Sequence, residues 1–209
     1  MASITLYHAP RSRSFRALWF LEELGVPYER VELNLDKGEH KSPALLRLNP
    51  MGKVPVVVVD GHAVWESPAV IAHLCDCHPE AGLAPAPGTP ARADFYRWLS
   101  FATAVMEPAF ADHFMQRESR PRQFGWGDFA SMKAALAEGM AGGPWLLGEA
   151  FSGADVLLGS NIHWFSLWAP EALGDVPGHD GYLARLRSRP AFRRASEIDA
   201  EIAARQAGG

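Results

Sequence analysis

ITLYHAPRSRSFRALWFLEELG, residues 4 to 25, changes its period partway along. Ile4, Leu6 and Tyr7 around Thr5 read as a short buried strand, Ala9-Pro10-Arg11 breaks it, and Phe15, Leu18, Trp19, Leu21 and Leu24 recur at helical spacing. The stretch is therefore a strand, a loop and a helix, with the loop at the helix N-terminus. A helix start gathers backbone N–H groups without partners and the positive end of the macrodipole, so it suits an anion such as a thiolate, a phosphate or a carboxylate. Ser12 and Ser14 add hydroxyl groups there, and Arg11, Arg13 and Arg16 add positive charge. Either serine could equally serve as the helix cap.

Downstream, Gly25 suits a helix stop and Tyr28–Leu33 alternates like a half-exposed strand. Asp36–Lys41 (DKGEHK) reads as a loop, Pro43–Leu48 as a short helix ended by Asn49-Pro50-Met51-Gly52, and Lys53-Val54-Pro55 opens the apolar run Val56–Val59. Asp60-Gly61 is a hairpin turn into His62–Trp65, and Glu66-Ser67-Pro68 starts a helix with Ser67 at the cap and Val70, Ile71 and Leu74 on one face. Residues 1–80 thus read βαβαββα. A linker follows at 81–90, within the Pro-, Ala- and Gly-rich stretch from Pro79 to Pro90. Residues 91–209 carry only helical signals. A long helix from Ala91 to about Gln116 is expected to kink at Pro108, and another is expected between about Gly127 and Met140. Ser152 with Asp155 three residues on forms a capping box, and the helix it opens, through Trp164 and Trp168, is apolar almost all round, as a buried core helix would be. Shorter helices are expected near Tyr182–Leu186 and Ala191–Ala204. The fold class is an α/β N-terminal domain on a mixed sheet plus an all-α C-terminal domain.

The composition narrows the function. With 209 residues and 48% hydrophobic side chains the chain can bury a full core. A net charge of −4 offers no general attraction to nucleic acid or anionic membranes. Runs such as Val54–Val59 are too short to span a bilayer, and Met1-Ala2-Ser3 leads straight into a strand, so a cytoplasmic home is expected. Cys75 and Cys77, at i and i+2 on a helix, point to different sides and should stay reduced. None of the eight histidines falls at metal-ligand spacing, so no metal is expected.

Taken in order, these motifs resemble a cytosolic glutathione transferase over nearly the whole chain, with a thioredoxin-like βαβαββα domain followed by a helical one. The resemblance rests on Leu6-Tyr7 with the serine loop at Ser12, Arg16, His40-Lys41, Lys53-Val54-Pro55, Glu66-Ser67 and Ser152-Gly153-Ala154-Asp155. PRSRSFR…LEELG is most similar to the bacterial and fungal serine-type, theta-like branch. The resemblance implies a homodimeric detoxification enzyme that joins glutathione, its co-substrate, to a small electrophile; a glutathione-dependent peroxidase or disulfide reductase, or a non-catalytic binding module, uses the same fold. It further implies that Ser12 donates its hydroxyl to the glutathione sulfur, with Ser14 the alternative. Val54 would pair its backbone with the ligand beside a cis Pro55, and Glu66 and Ser67 would hold the γ-glutamyl end. His40, Lys41 and Lys53 would face the glycine carboxylate. The electrophile pocket is expected between the Ser12 loop and the second domain, lined by His8, Met106, Phe110, Phe114 and Trp168.

Overall fold

The computed structural model describes residues 3–118 and 120–208. They fall into two compact units, one made of the residues up to Ala81 together with those from Ser188 on, the other of Gly82–Arg187. Among the described residues the first unit holds four strands and four α-helices. They are β1 (Ile4–His8), α1 (Phe15–Leu24), β2 (Glu29–Glu32), α2 (Pro43–Leu48), β3 (Val56–Val59), β4 (His62–Trp65), α3 (Ser67–Cys77) and, after the whole of the other unit, α9 (Pro190–Ala207). The sheet order is β2-β1-β3-β4; β1 runs parallel to β2 and antiparallel to β3, which pairs antiparallel with β4. This is the thioredoxin-like mixed sheet that the order of motifs implied. Strand β1 alternates buried Ile4, Leu6 and His8 with half-buried Thr5 and Tyr7. A period of two on a sheet with one covered face accounts for that pattern.

The last helix corrects the expected boundary. Residues 188–209 were expected in the helical domain, yet α9 lies along α1. Phe192 meets Trp19 edge-on at 4.9 Å and Phe15 at 5.7 Å between ring centres, and Arg189 forks onto both oxygens of the Glu23 carboxylate at 2.7 Å. Arg205 reaches Glu32 at 2.8 Å. Helix α1 buries Ala17, Leu18, Trp19, Phe20 and Leu21, more than one apolar stripe, because it is covered by the sheet on one side and α9 on the other. The apolar pattern of α1 announces a two-sided burial, but not which distant segment supplies the second side.

In the second unit α4 (Pro90–Phe101) and α5 (Glu107–Phe114) are joined by a π-helical turn, Ala102–Met106, where a kinked continuous helix was expected. Pro108 explains it. Proline lacks the N–H of a helix interior and its ring crowds the carbonyl four residues back, and a wide turn relieves both. The buried Asn161 amide donates to the Ala102 carbonyl at 2.6 Å, so the altered ladder is satisfied from α7 (Gly153–Trp168). Helix α6 (Phe129–Ala141) begins in an Asp128–Ser131 capping box, and α8 (His179–Ser188) packs Tyr182 inward.

The capping box of α7 is present as expected and extends further than its motif. The buried Asp155 carboxylate accepts from the Leu146 N–H, the Ser152 N–H, the Ser152 hydroxyl and the Tyr182 hydroxyl, each at 2.9 Å. Burial pushes the Asp155 carboxyl above its ordinary value while the four donors pull it back. The same carboxylate pushes the buried Tyr182 hydroxyl up, after burial itself. Cys75 and Cys77 are unbridged. No helix among the described residues is long and apolar enough to cross a membrane.

Candidate active site

Register gathers the site. Tyr7 of β1 pairs with Val56 of β3, which also pairs with Trp65 of β4. One step beyond these pairs the chain runs into the serine loop after β1, Val54-Pro55 before β3, and Glu66-Ser67 after β4. Three loops that are far apart in sequence therefore share one end of the sheet. The Val54–Pro55 peptide bond is cis, as the resemblance implied. Val54 is half-buried and packs with Tyr7, Leu48 and Trp65 against Ala9, Leu33, Leu45 and Val56, so the apolar patch under the loop holds its course.

Glu66, exposed, has φ 70° and ψ 117°, a conformation that costs a non-glycine residue on the order of 1–3 kcal/mol and persists only where the surroundings enforce it. Glu66 rather than Ser67 is the cap residue of α3. Ser67 is the first helical residue and is buried. The sharp turn leaves the first N–H groups of α3 without helical carbonyls to meet, a ready anion site next to a carboxylate.

Around the remaining candidates one unexpected residue organises the backbone. Asn49, buried, donates from its side chain to the Lys53 carbonyl at 2.9 Å and accepts from the Met51 N–H at 3.0 Å. The loop carrying Lys53 and Val54 is thus clamped from within. Lys41 donates to the Met51 carbonyl at 2.8 Å, which uses one of its three ammonium protons and leaves two. Gly52 has φ 56°, and a Cβ there would be strained and would stand 2.8 Å from Cδ of Lys41, so a larger residue would push the Lys41 side chain from its place. Lys53 is exposed and His40 half-buried.

The serine loop departs most from expectation. Ser14 makes no capping bond to α1; its side chain is fully buried and turned back toward β1. Its Oγ accepts from the Ala9 N–H at 3.0 Å and lies 2.9 Å from the Ala9 carbonyl, 2.9 Å from Nδ1 of His8 and 2.8 Å from Oγ of Ser12. Ser12, half-buried, donates to the Ala9 carbonyl at 2.7 Å and accepts weakly from the Ser14 N–H at 3.2 Å. His8, expected to line the electrophile pocket, is fully buried: its Nε2 stands 3.2 Å from a carboxylate oxygen of Asp199 on α9. Asp199 in turn accepts the N–H of Arg11, at 3.2 and 3.3 Å to its two oxygens. Arg11 has φ 55°, again unusual outside glycine, and that conformation aims its N–H at α9. Asp199 was missed in the sequence because no local pattern links it to a strand 191 residues earlier.

Of the other pocket candidates, Met106 is fully buried core, while Phe110 and the exposed Phe114 border a cleft of about 710 Å³ within the helical unit. Phe129, His113, Lys133 and Asp175 also line it; Lys133 bridges to Asp175 at 2.7 Å and holds that carboxyl below its ordinary value. Phe110 stacks flat on Phe165 with 3.5 Å between ring centres. Trp168 is 63% exposed and leans on Trp164.

Ser14→Ala removes a buried acceptor and strands the Ala9 N–H, so it should destabilise the chain by roughly 1–3 kcal/mol, beyond the few tenths of an ordinary surface substitution. Urea unfolding measures this; a midpoint equal to wild type would show that the Ala9 N–H finds another partner.

Known proteins resemble this chain in sequence and fold. Residues 2–76 match the family model for the glutathione S-transferase N-terminal domain. Glutathione S-transferase GST-4.5 of Xanthomonas campestris pv. campestris is 29% identical over 98% of both chains. The disulfide-bond oxidoreductase YfcG of Escherichia coli is 27% identical over 92% of this chain and 94% of its own. Among solved structures, a sphingomonad glutathione S-transferase complexed with glutathione superposes with a TM-score of 0.75 at 28% identity, over 94% of this chain and 98% of that one. With its thioredoxin-like unit and its helical unit, the chain is similar over nearly its whole length to glutathione transferases, and residues 2–76 match the N-terminal domain of that family.

Proposed function

We propose that this protein joins the thiol of glutathione to small, largely apolar electrophiles, with Ser12 donating its hydroxyl to the sulfur. The observation that supports it most is the meeting at one sheet end of the Ser12 loop, the Val54-Pro55 edge and the Glu66-Ser67 turn. Each matches one part of a dianionic tripeptide. The Val54 backbone pairs with the cysteinyl residue as if the ligand were an added strand. The open N–H groups at the start of α3 take the γ-glutamyl carboxylate and Glu66 takes its amino group. Lys41, with two ammonium protons to spare, Lys53 and His40 serve the glycine carboxylate. Phe110 and Phe114 are the aromatic side chains we assign to the electrophile. The relative complexed with glutathione supports the co-substrate.

A glutathione-dependent disulfide reductase is the second reading, favoured by the likeness to YfcG. Retention on immobilised glutathione followed by assays with an aryl halide, an organic hydroperoxide and a mixed disulfide separates the readings. Retention with turnover of the aryl halide is expected. Turnover of the disulfide alone moves the assignment to the reductase, and retention with all three silent moves it to a binding module. We further propose a cytoplasmic homodimer of about 46 kDa, twice the 22.9 kDa chain. A single species of one chain's mass in sedimentation at micromolar concentration would overturn that.

A further inference from the structure

From the buried contacts behind Ser12 we infer that Asp199, His8 and Ser14 form a proton relay that takes the thiol proton of bound glutathione away from solvent; this rests on the reading of Ser12 as the residue at the sulfur. The four groups stand in line. Asp199 is 3.2 Å from Nε2 of His8, Nδ1 of His8 is 2.9 Å from Oγ of Ser14, and Oγ of Ser14 is 2.8 Å from Oγ of Ser12. His8 and Ser14 are fully buried, so water does not compete for these positions.

Counting protons fixes the resting arrangement. The His8 Nε2 contact with Asp199 is an ion-pair distance rather than an aligned hydrogen bond, and Nε2 has no other described partner. A lone pair on Nε2 would face the carboxylate, so the proton belongs on Nε2 and Nδ1 is an acceptor. The Ser14 hydroxyl lies 2.9 Å from both the Ala9 carbonyl and Nδ1; the carbonyl receives the Ser12 hydroxyl at 2.7 Å, whereas among the described residues Ser14 is the one donor within reach of Nδ1. Ser12 needs only a turn of its hydroxyl from Ala9 to Ser14 to complete the line.

The step balances. The S–H bond of glutathione breaks as its proton passes to Ser12 Oγ. Ser12 gives its own proton to Ser14 Oγ, and Ser14 gives its own to Nδ1 of His8. Each serine gains one proton and loses one, no electron moves, and the products are a thiolate and an imidazolium. Asp199 stabilises the imidazolium, while the newly protonated Ser12 points its hydroxyl at the sulfur. A base oriented by a third group is the general device for activating a weak nucleophile. Here His8 and Asp199 act through the two serines and are positioning residues. Of the charged groups on the elements packed around His8, Asp199 on α9 stands at ion-pair distance, Glu32 on β2, its register partner, is paired with Arg205 and Arg30, and α1 carries the buried Arg16. Among the described residues Asp199 is the acid placed to answer the imidazolium.

Stopped-flow mixing with glutathione just below neutral pH tests this, reading thiolate absorbance together with proton release to an indicator dye. Wild type should form thiolate with well under one proton released per thiolate. His8→Asn keeps an acceptor for Ser14 but cannot hold a second proton, and Asp199→Asn keeps an acceptor for the Arg11 N–H while losing its charge. Both should release about one proton per thiolate and form thiolate at least roughly tenfold more slowly. A thermal melt establishes that each is folded; Asp199→Asn, on the half-exposed residue, carries the test if His8→Asn does not fold. One proton per thiolate in wild type, or the same ratio in all three proteins, overturns the relay alone. Retention on immobilised glutathione without any thiolate also overturns it and leaves a binding protein. Failure of wild type to be retained withdraws the glutathione reading and the relay with it.

Discussion

Asp155→Ala should lower stability by about 3–5 kcal/mol, which in a chain of this size is a fall in Tm on the order of 10 °C. The carboxylate answers four donors, and two of them, the N–H groups of Leu146 and Ser152, cannot turn to other partners. Stranding a buried N–H costs about 1–3 kcal/mol, whereas the Ser152 and Tyr182 hydroxyls can partly reorient. Asp155→Asn keeps one acceptor oxygen and should fall between. The pH dependence carries a sign. Because the folded carboxyl holds its proton more tightly than the unfolded chain, the contribution of Asp155 falls as pH rises from the unfolded carboxylate range through the folded value. The gap between wild type and Asp155→Ala should thus be wider in mild acid than at neutrality. Thermal melts at both pH values measure it; a gap under about 1 kcal/mol throughout would mean that water replaces the carboxylate.

Ser12→Ala should leave glutathione affinity within a few fold while raising the pKa of the bound thiol by ~2 units, worth ~2.7 kcal/mol. At neutral pH this cuts the thiolate population ~25-fold, and the greater intrinsic nucleophilicity of the less acidic thiol returns up to ~8-fold of the rate if the Brønsted slope of disulfide exchange applies. The remaining deficit should be larger in mild acid than in mild alkali, where the thiol ionises unaided. Titrating thiolate absorbance of the complex checks this. An unchanged thiol pKa would assign the activation to the backbone N–H groups and dipole of α1.

Most of the fold was legible because it is written in local periods and turn residues. The change of period across residues 4–25, the Asp60-Gly61 hairpin and the Ser152–Asp155 box each needs only a few adjacent residues to be read. The candidate glutathione residues were picked out through their order along the chain. What stayed hidden depends on distant packing. Ser14 reads as a cap because it sits just before a helix, and only the burial of His8 shows why its hydroxyl turns back to the strand. Asn49 reads as a helix stop, and its clamp on Lys53 depends on the loop from Pro50 to Lys53 folding back over it. The π-helical turn before Pro108 needed Asn161, more than fifty residues on, to satisfy the Ala102 carbonyl.

Helix α9 sets the order in which a growing chain can finish its work. The strands and the serine loop leave the ribosome first, yet Phe192, Arg189 and Asp199 follow only after the entire helical unit has been made. Until then the outer face of Trp19 lacks its cover and His8 lacks its acid. A nascent chain paused after residue 81 should expose that tryptophan face to chaperones. Ser12 is translated before the helical unit, and its surroundings are whole only once α9 has followed that unit.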